Sequence, residues 1–333
     1  MPLIEGRRLI HFAKVFRIVW IILGTFFIAG YLIHCQSKKE KSSPPQAFSP
    51  KLSLKPQIPF EGKIIFQSDF DGDNELYLLS NQGLNQLTHN EWSDEFPRVS
   101  PDGRWIAFSA NRHGNYDVFV MAMDGSRIRR LTASSHDEGE LAWTPDGRKI
   151  IYTEARKRII GRAYTLWSID LATGQKQRFL PDFDGSCALP DFSSNNSVLT
   201  FTGKKMVGWD IYLADLGKNE IINLTNNGQT CRSRFSPDGR WLVYVSHEAD
   251  HKGDIFIMQP NGQGKRRLTE RPETYDYFPS WSPNGRYIVF CSNTKSMYAQ
   301  EGDWDLYLVE VSSGKAEVLL ATSGRDVFPE WIK

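Results

Sequence analysis

The sequence predicts an all-β chain: a six-bladed β-propeller of four-stranded blades, preceded by a single N-terminal transmembrane helix. Three observations carry that expectation. A turn followed by an apolar run returns at Ser100, Thr144, Ser193, Ser236 and Ser282, in steps of 44, 49, 43 and 46 residues. A period of about 40–50 residues is the mark of propellers and solenoids. Each period holds four short segments of strand character, and the two ends of the repeat region carry complementary halves of one period.

The recurring turn reads Ser100-Pro101-Asp102-Gly103-Arg104, with copies at Thr144–Arg148, Ser236–Arg240 and Ser282–Arg286. Proline pre-sets φ for a type I turn, and glycine takes the left-handed position that follows. The next residues, Trp105-Ile106-Ala107-Phe108 in one copy and Lys149-Ile150-Ile151-Tyr152 in another, are nearly all apolar. A short apolar run between turns suits a strand covered on both faces, as in a blade held between two neighbours. An acidic residue then opens the next strand, as in Glu75-Leu76-Tyr77, Asp117-Val118-Phe119, Asp210-Ile211-Tyr212, Asp254-Ile255-Phe256 and Asp305-Leu306-Tyr307. A second turn follows, such as Asp124-Gly125, Asn261-Gly262 or Ser313-Gly314, and then a short strand ending in Leu-Thr, at 87–88, 131–132, 224–225 and 268–269. A last segment, such as Glu95-Phe96-Pro97-Arg98-Val99 or Tyr277-Phe278-Pro279-Ser280-Trp281, leads into the next turn.

This pattern, Phe-Pro-x-Trp-Ser-Pro-Asp-Gly-Arg, then Asp-Ile-Tyr, then Arg-Arg-Leu-Thr, resembles the TolB-like propeller repeat, which also builds the propellers of prolyl-oligopeptidase-type peptidases. The resemblance covers about residues 60–333. Two copies depart from it: the third has Leu166-Trp167 without a preceding Asp, and the fourth, Ser193–Phe201, has lost the Pro-Asp-Gly turn. The resemblance implies work in the cell envelope, since TolB binds a peptidoglycan-associated lipoprotein. TolB also carries an N-terminal α/β domain, which this sequence replaces with an apolar segment and a linker, so a place in a Tol–Pal system does not follow.

That apolar segment lies in residues 1–35. Ile18–Ile33 is free of charge and approaches the ~20 residues that span a bilayer. Arg7, Arg8, Lys14 and Arg17 precede it, against Glu5 alone, so the positive-inside rule places the propeller outside the cytoplasm, in the periplasm or beyond. Two competing readings are a cleaved signal peptide, for which no small-x-small site follows, and lipidation at Cys35, whose Leu32-Ile33-His34-Cys35 context resembles a lipobox with His34 in place of a small residue. Residues 36–60 carry Pro44, Pro45, Pro50, Pro56 and Pro59 among Ser and Lys, and read as an extended linker. Residues 61–333 form the propeller. It opens on Glu61-Gly62-Lys63-Ile64-Ile65-Phe66 and closes with a strand at 326–332, the two halves completing one blade.

Composition excludes little beyond nucleic acid, for which a net charge of +1 gives no footprint. His247-Glu248-Ala249-Asp250-His251 matches the His-Glu-x-x-His zinc motif, but that motif needs a helix to bring both imidazoles to one face. Here it falls between two strands, and a polar surface loop is expected. Asp69-Phe70-Asp71-Gly72-Asp73-Asn74-Glu75 suggests a calcium loop, yet Asn74 and Ser80 stand where that loop requires Gly and Glu. A turn with Glu75 opening a strand is expected instead. Cys291 lies in an apolar strand and reads as a core residue. Cys187 and Cys231 sit near the starts of neighbouring first strands, where a disulfide or two free thiols are the alternatives. No Gly-x-Ser-x-Gly nucleophile elbow occurs.

One repeat column is rich in acid. Six residues before each turn, and at the matching place near the C-terminus, stand Asp94, Glu138, Cys187, Thr230, Asp276 and Asp326, with Glu95 and Asp137 beside them. Either each carboxylate caps its own turn, or together they crowd one mouth of the central channel and attract a cation or a basic peptide. No cofactor or catalytic residue is expected; the inorganic ligand such a mouth would take is Ca2+. The expected function is a non-enzymatic, membrane-anchored platform for a protein or peptide partner in the envelope. The alternative is a propeller that binds or processes extracellular glycan.

Overall fold

Each repeat folds as one four-stranded antiparallel sheet. The computed structural model describes residues 61–159, 161–194 and 197–333. The candidate membrane segment Ile18–Ile33, Cys35 and the linker 36–60 lie outside the described residues. No helix among the described residues is long and apolar enough to cross a membrane.

Blade 1 begins with β1 (Lys63–Ser68), β2 (Glu75–Ser80) and β3 (Gly83–Gln86). Blade 2 is β4 (Asp94–Val99), β5 (Trp105–Ala110), β6 (Asp117–Ala122) and β7 (Arg129–Arg130). Blade 3 is β8 (Asp137–Trp143), β9 (Lys149–Lys157), β10 (Arg162–Asp170) and β11 (Lys176–Arg178). Blade 4 is β12 (Ser186–Phe192), β13 (Val198–Lys204), β14 (Asp210–Asp215) and β15 (Glu220–Asn223). Blade 5 is β16 (Thr230–Phe235), β17 (Leu242–Ser246), β18 (Asp254–Met258) and β19 (Arg266–Arg267). Blade 6 is β20 (Tyr275–Trp281), β21 (Tyr287–Asn293), β22 (Asp305–Glu310) and β23 (Ala316–Leu320). The last strand, β24 (Val327–Ile332), returns to blade 1, where the order is β24-β1-β2-β3. Lys63 pairs with Ile332, and the Trp331 indole donates to the Glu61 carbonyl at 2.8 Å, so the two ends of the propeller meet where other blades have a turn.

The Ser-Pro-Asp-Gly turn is held by its own side chains. Ser100 Oγ donates to Asp102 Oδ1 at 2.6 Å and accepts the Trp105 N–H at 3.0 Å. Thr144 with Asp146, Ser236 with Asp238 and Ser282 with Asn284 repeat the arrangement at 2.6–2.8 Å. Gly103 sits at φ 71°, which is why glycine follows the acid. Blade 4 lacks the Pro-Asp-Gly signal, yet Phe192 still pairs with Leu199, because the two strands the turn joins are held by buried residues such as Ala188 and Phe201. Between blades the core is aromatic and aliphatic: Phe66 against Tyr77, Phe108 against Phe119, Phe201 against Tyr212 and Phe290 against Tyr307 pair across the second and third strands at 5.4–5.8 Å.

The Leu-Thr ending has a structural task. Thr88, Thr132, Thr225 and Thr269 are buried, and each Oγ1 accepts the N–H that follows the strand-opening acid, at 2.8–3.0 Å. Thr132→Val should therefore leave the Val118 N–H buried and unbonded, costing about 1–3 kcal/mol. A urea titration should show the lower midpoint in Thr132→Val and near-parental behaviour in Thr132→Ser; equal midpoints for all three would refute the latch.

Four expectations are revised or resolved here. Glu75 opens β2, as a turn rather than a calcium loop requires. Cys187 and Cys231 are both free thiols, and Cys291 is buried in the core. The His247–His251 segment is a loop with Glu248, Ala249 and His251 exposed, as expected, but His247 itself is buried just after β17. Its Nδ1 lies 3.1 Å from the Gln229 carbonyl and its Nε2 2.6 Å from the Tyr277 hydroxyl. Both ring nitrogens are spent on structure, and His251 stands at φ 66°, outside helical geometry.

Candidate binding site at the channel mouth

All six innermost strands carry a β-bulge, and this builds the channel. The register shifts between Glu95 and Arg98, Gly139 and Ala142, Ala188 and Asp191, Cys231 and Arg234, and Tyr277 and Ser280, with the matching irregularity where β24 pairs β1. At each bulge one residue takes positive φ: Phe96, Glu140, Leu189, Arg232, Phe278 and Phe328, at 51–59°. Left-handed backbone costs a non-glycine residue about 1–2 kcal/mol, and a bulge spends it to re-aim a side chain. Proline follows in four of the six, at 97, 190, 279 and 329, where a bulge tolerates a missing N–H.

The six re-aimed side chains form a waist. Phe328 packs against Phe278 and Phe96 at centroid separations of 4.1 and 4.7 Å, and the Arg232 guanidinium lies 4.7 Å over the Phe278 ring. Glu140 of blade 3 and Arg232 of blade 5 interact electrostatically although blade 4 stands between them, so both reach the axis. On the side of the Ser-Pro-Asp-Gly turns, charges alternate and cancel. Arg98 lies 3.7 Å from Asp191, the Asp191 carboxylate accepts the Phe235 N–H, and Glu330 accepts the Val99 N–H. Burial, helped by Arg98, holds the Arg234 guanidinium down to about 10.

The opposite end is polarised. A cavity of about 350 Å3 lies above the waist, lined by Asp69, Asp73, Asn74, Glu95, Tyr116, Asp137, Glu138, Glu140 and Arg325, among others. Its cation is committed: Arg325 Nε donates to Asp69 Oδ2 at 2.6 Å. Asp137 is held by Arg162 at 3.0 Å. Glu95 Oε1 accepts from Asn74 and from the Tyr116 hydroxyl at 2.7 and 2.8 Å. Glu138 and Glu140 differ. Both are buried, and each has one carboxylate oxygen without a hydrogen-bond partner. Burial raises both pKa values above the usual carboxylate range, against hydrogen bonds to Glu138 and the Arg232 charge facing Glu140.

The six residues singled out from the sequence therefore divide. Glu95, Asp137 and Glu138 line the cavity. Asp94, Asp276 and Asp326 do not share a rim with them: each is fully enclosed. Asp94 accepts from Asn90 at 2.8 Å, Asp276 from Ser292 and Thr274 at 2.6 and 3.0 Å, and Asp326 from Thr322 at 3.0 Å. Asp94, Asp276 and Asp326 point into their own blades, whereas the bulge that follows turns the waist side chains inward. Glu140 and Arg232, which the sequence reading missed, stand two residues beyond the column it chose; the signal was the next-but-one column, Phe-Glu-Leu-Arg-Phe-Phe. Among the described residues no group of three or more His, Cys, Asp or Glu is placed to hold a metal ion.

Comparison with known proteins agrees with this architecture. Residues 50–209 match the family described as Tricorn protease N-terminal beta propeller domain, and residues 161–299 the TolB beta propeller domain. The "Uncharacterized protein Atu1656" of Agrobacterium fabrum is 36% identical over 239 residues, covering 69% of this chain and 77% of that protein. The "Uncharacterized peptidase YuxL" of Bacillus subtilis is 26% identical over 190 residues, 55% of this chain but only 27% of that protein. The solved TolB of Acinetobacter baumannii superposes with a TM-score of 0.70 at 20% identity, over 81% of this chain and 66% of that one.

Proposed function

Since the chain belongs to the TolB-like family of six-bladed β-propellers, we propose that it is a non-enzymatic binding platform of the cell envelope, whose channel mouth takes a Lys or Arg side chain of a protein partner. In this reading Ile18–Ile33 anchors the propeller outside the cytoplasm, on the periplasmic or extracellular side. The observation that carries it is the pair of buried carboxylates that line the cavity, Glu138 and Glu140, each with one oxygen that has no hydrogen-bond partner. A buried acceptor without a partner is costly, and an incoming ammonium or guanidinium supplies the missing donors with charge assistance. The likeness to TolB supports a protein partner. The peptidase-named relative is matched over 27% of its length, and the His-Glu-x-x-His letters serve packing, so the reading is one of binding rather than hydrolysis.

A fluorescent decapeptide of alternating Lys and Ser tests the mouth directly. The parent should bind it, less so as salt rises, and Glu138→Gln/Glu140→Gln should lose about tenfold or more in affinity while melting no lower than the parent. Ca2+ at excess should compete for the same carboxylates. Equal affinity in parent and double variant would sink this assignment.

A further inference from the structure

The same face of the propeller carries a second surface, on blades 3 and 4. The hairpin β9–β10 has nine residues in each strand, against five to seven in the corresponding strands elsewhere, with Lys157 paired to Arg162 at its far end. Three extra residues at ~3.3 Å each carry its tip roughly 10 Å further out. Thr153 and Ala155 on this hairpin line the mouth cavity, so the tip rises beside the mouth. At the tip Ile159 is 104% exposed, next to exposed Lys157 and Arg158. The β13–β14 loop of blade 4 ends the same way, with Met206 at 87% and Val207 at 48% exposure after Lys204 and Lys205.

The two loops share a base. Tyr164 of blade 3 and Trp209 of blade 4 meet edge to face at 5.7 Å, both buried. Lys204 Nζ lies 6.0 Å over the Trp209 ring and Lys205 Nζ 5.4 Å over Phe183. Gly208, at φ 74°, packs so closely on Gly228 that a Cβ would meet its carbonyl oxygen at 2.3 Å, which fixes how the tip is presented. No ion pair among the described residues engages Lys157, Arg158, Lys204 or Lys205. The corresponding loop of blade 1 is acidic, with Asp69, Asp71 and Asp73. The face is thus split between an acidic mouth and a basic, apolar shoulder.

We propose that the shoulder formed by Lys157, Arg158, Ile159, Lys204, Lys205 and Met206 docks on an anionic lipid surface. Large apolar tips with cations behind them match the layering of a membrane interface: the aliphatic groups enter the headgroup–acyl boundary while the ammonium and guanidinium groups stay at the phosphates. The acidic side of the face is repelled by the same surface, so the propeller tilts, with blades 3 and 4 down and the mouth open beside the bilayer.

Hydrogen exchange on the full chain tests this without interference from any insertion by Ile18–Ile33, because it reads the loops separately. The full chain is placed on vesicles of phosphatidylglycerol with phosphatidylcholine, and on phosphatidylcholine alone. Amides of the β9–β10 and β13–β14 loops should exchange at least about fivefold slower on the anionic vesicles only, with the blade 1 loop at Asp69–Asn74 unchanged. Lys204→Glu/Lys205→Glu should abolish the slowing, and its other amides should match the parent, showing an intact fold. Loops that exchange alike on both vesicles and in solution would overturn the proposal. So would slowing that appears without lipid and grows with protein concentration, which would assign the shoulder to a second copy of the chain.

Discussion

Removing residues 326–333 should leave a chain that no longer folds. Without β24, β1 keeps only β2 as a partner and blade 1 exposes a row of unpaired backbone groups at the channel. Phe328 leaves the waist, where it bridges Phe96 and Phe278, and Trp331 leaves the blade 6 interface, where it stacks on Tyr287. Each lost aromatic costs ~3–5 kcal/mol, together comparable with a domain's whole stability of ~5–15 kcal/mol. The truncated chain should collect in the insoluble fraction, while Phe328→Ala in the full chain should remain soluble with a depressed melting temperature. A soluble truncated chain melting with the parent would show that the ends do not share a blade.

Stability should fall as pH rises from mildly acidic solution toward 8. Burial pushes Asp326 up to about 8, against the hydrogen bond from Thr322, and pushes Glu75 up to about 8, against bonds from Thr88 and Asn90. Unfolded, both return to the ordinary range near ~4. Between those values the native state holds protons that the unfolded chain has released, so raising pH across that window removes stability, by up to roughly 1.4 kcal/mol per pH unit for each group. His247, which burial lowers to about 4, works the other way. Between ~6.5 and ~4 the unfolded imidazole binds a proton the native one refuses, which removes stability as pH falls, but the two carboxyl groups return about twice as much over the same window. Asp326→Asn keeps the shape and an acceptor for Thr322 without the charge. It should flatten the alkaline limb and melt above the parent at pH 8.5. Parallel pH profiles for parent and variant would contradict that role for Asp326.

Much of this could be read in one dimension because the fold repeats. A turn that returns every 43–49 residues fixes blade number, strand count and the shared blade at the ends, since each is a property of local sequence and its period. The turn chemistry is equally local: Ser100 and Asp102 bond within five residues of each other. Even the degraded fourth copy could be placed, because its neighbours set its frame.

What the sequence by itself determined is therefore the architecture: six blades, four strands in each, closure by the last strand, and a column of acids at the start of the innermost strands. Only the tertiary structure decided which of those acids line the cavity at the channel mouth. The bulge in each innermost strand shifts the register by one residue and turns Glu140 and Arg232 to the axis, while Asp94, Asp276 and Asp326 are enclosed in their own blades. It also set the Tyr164–Trp209 contact that makes one shoulder of two loops 45 residues apart in sequence. The reason is physical: strand alternation is encoded locally, but a side chain's distance from the channel axis, and the charges it meets there, depend on where five other blades put their own residues.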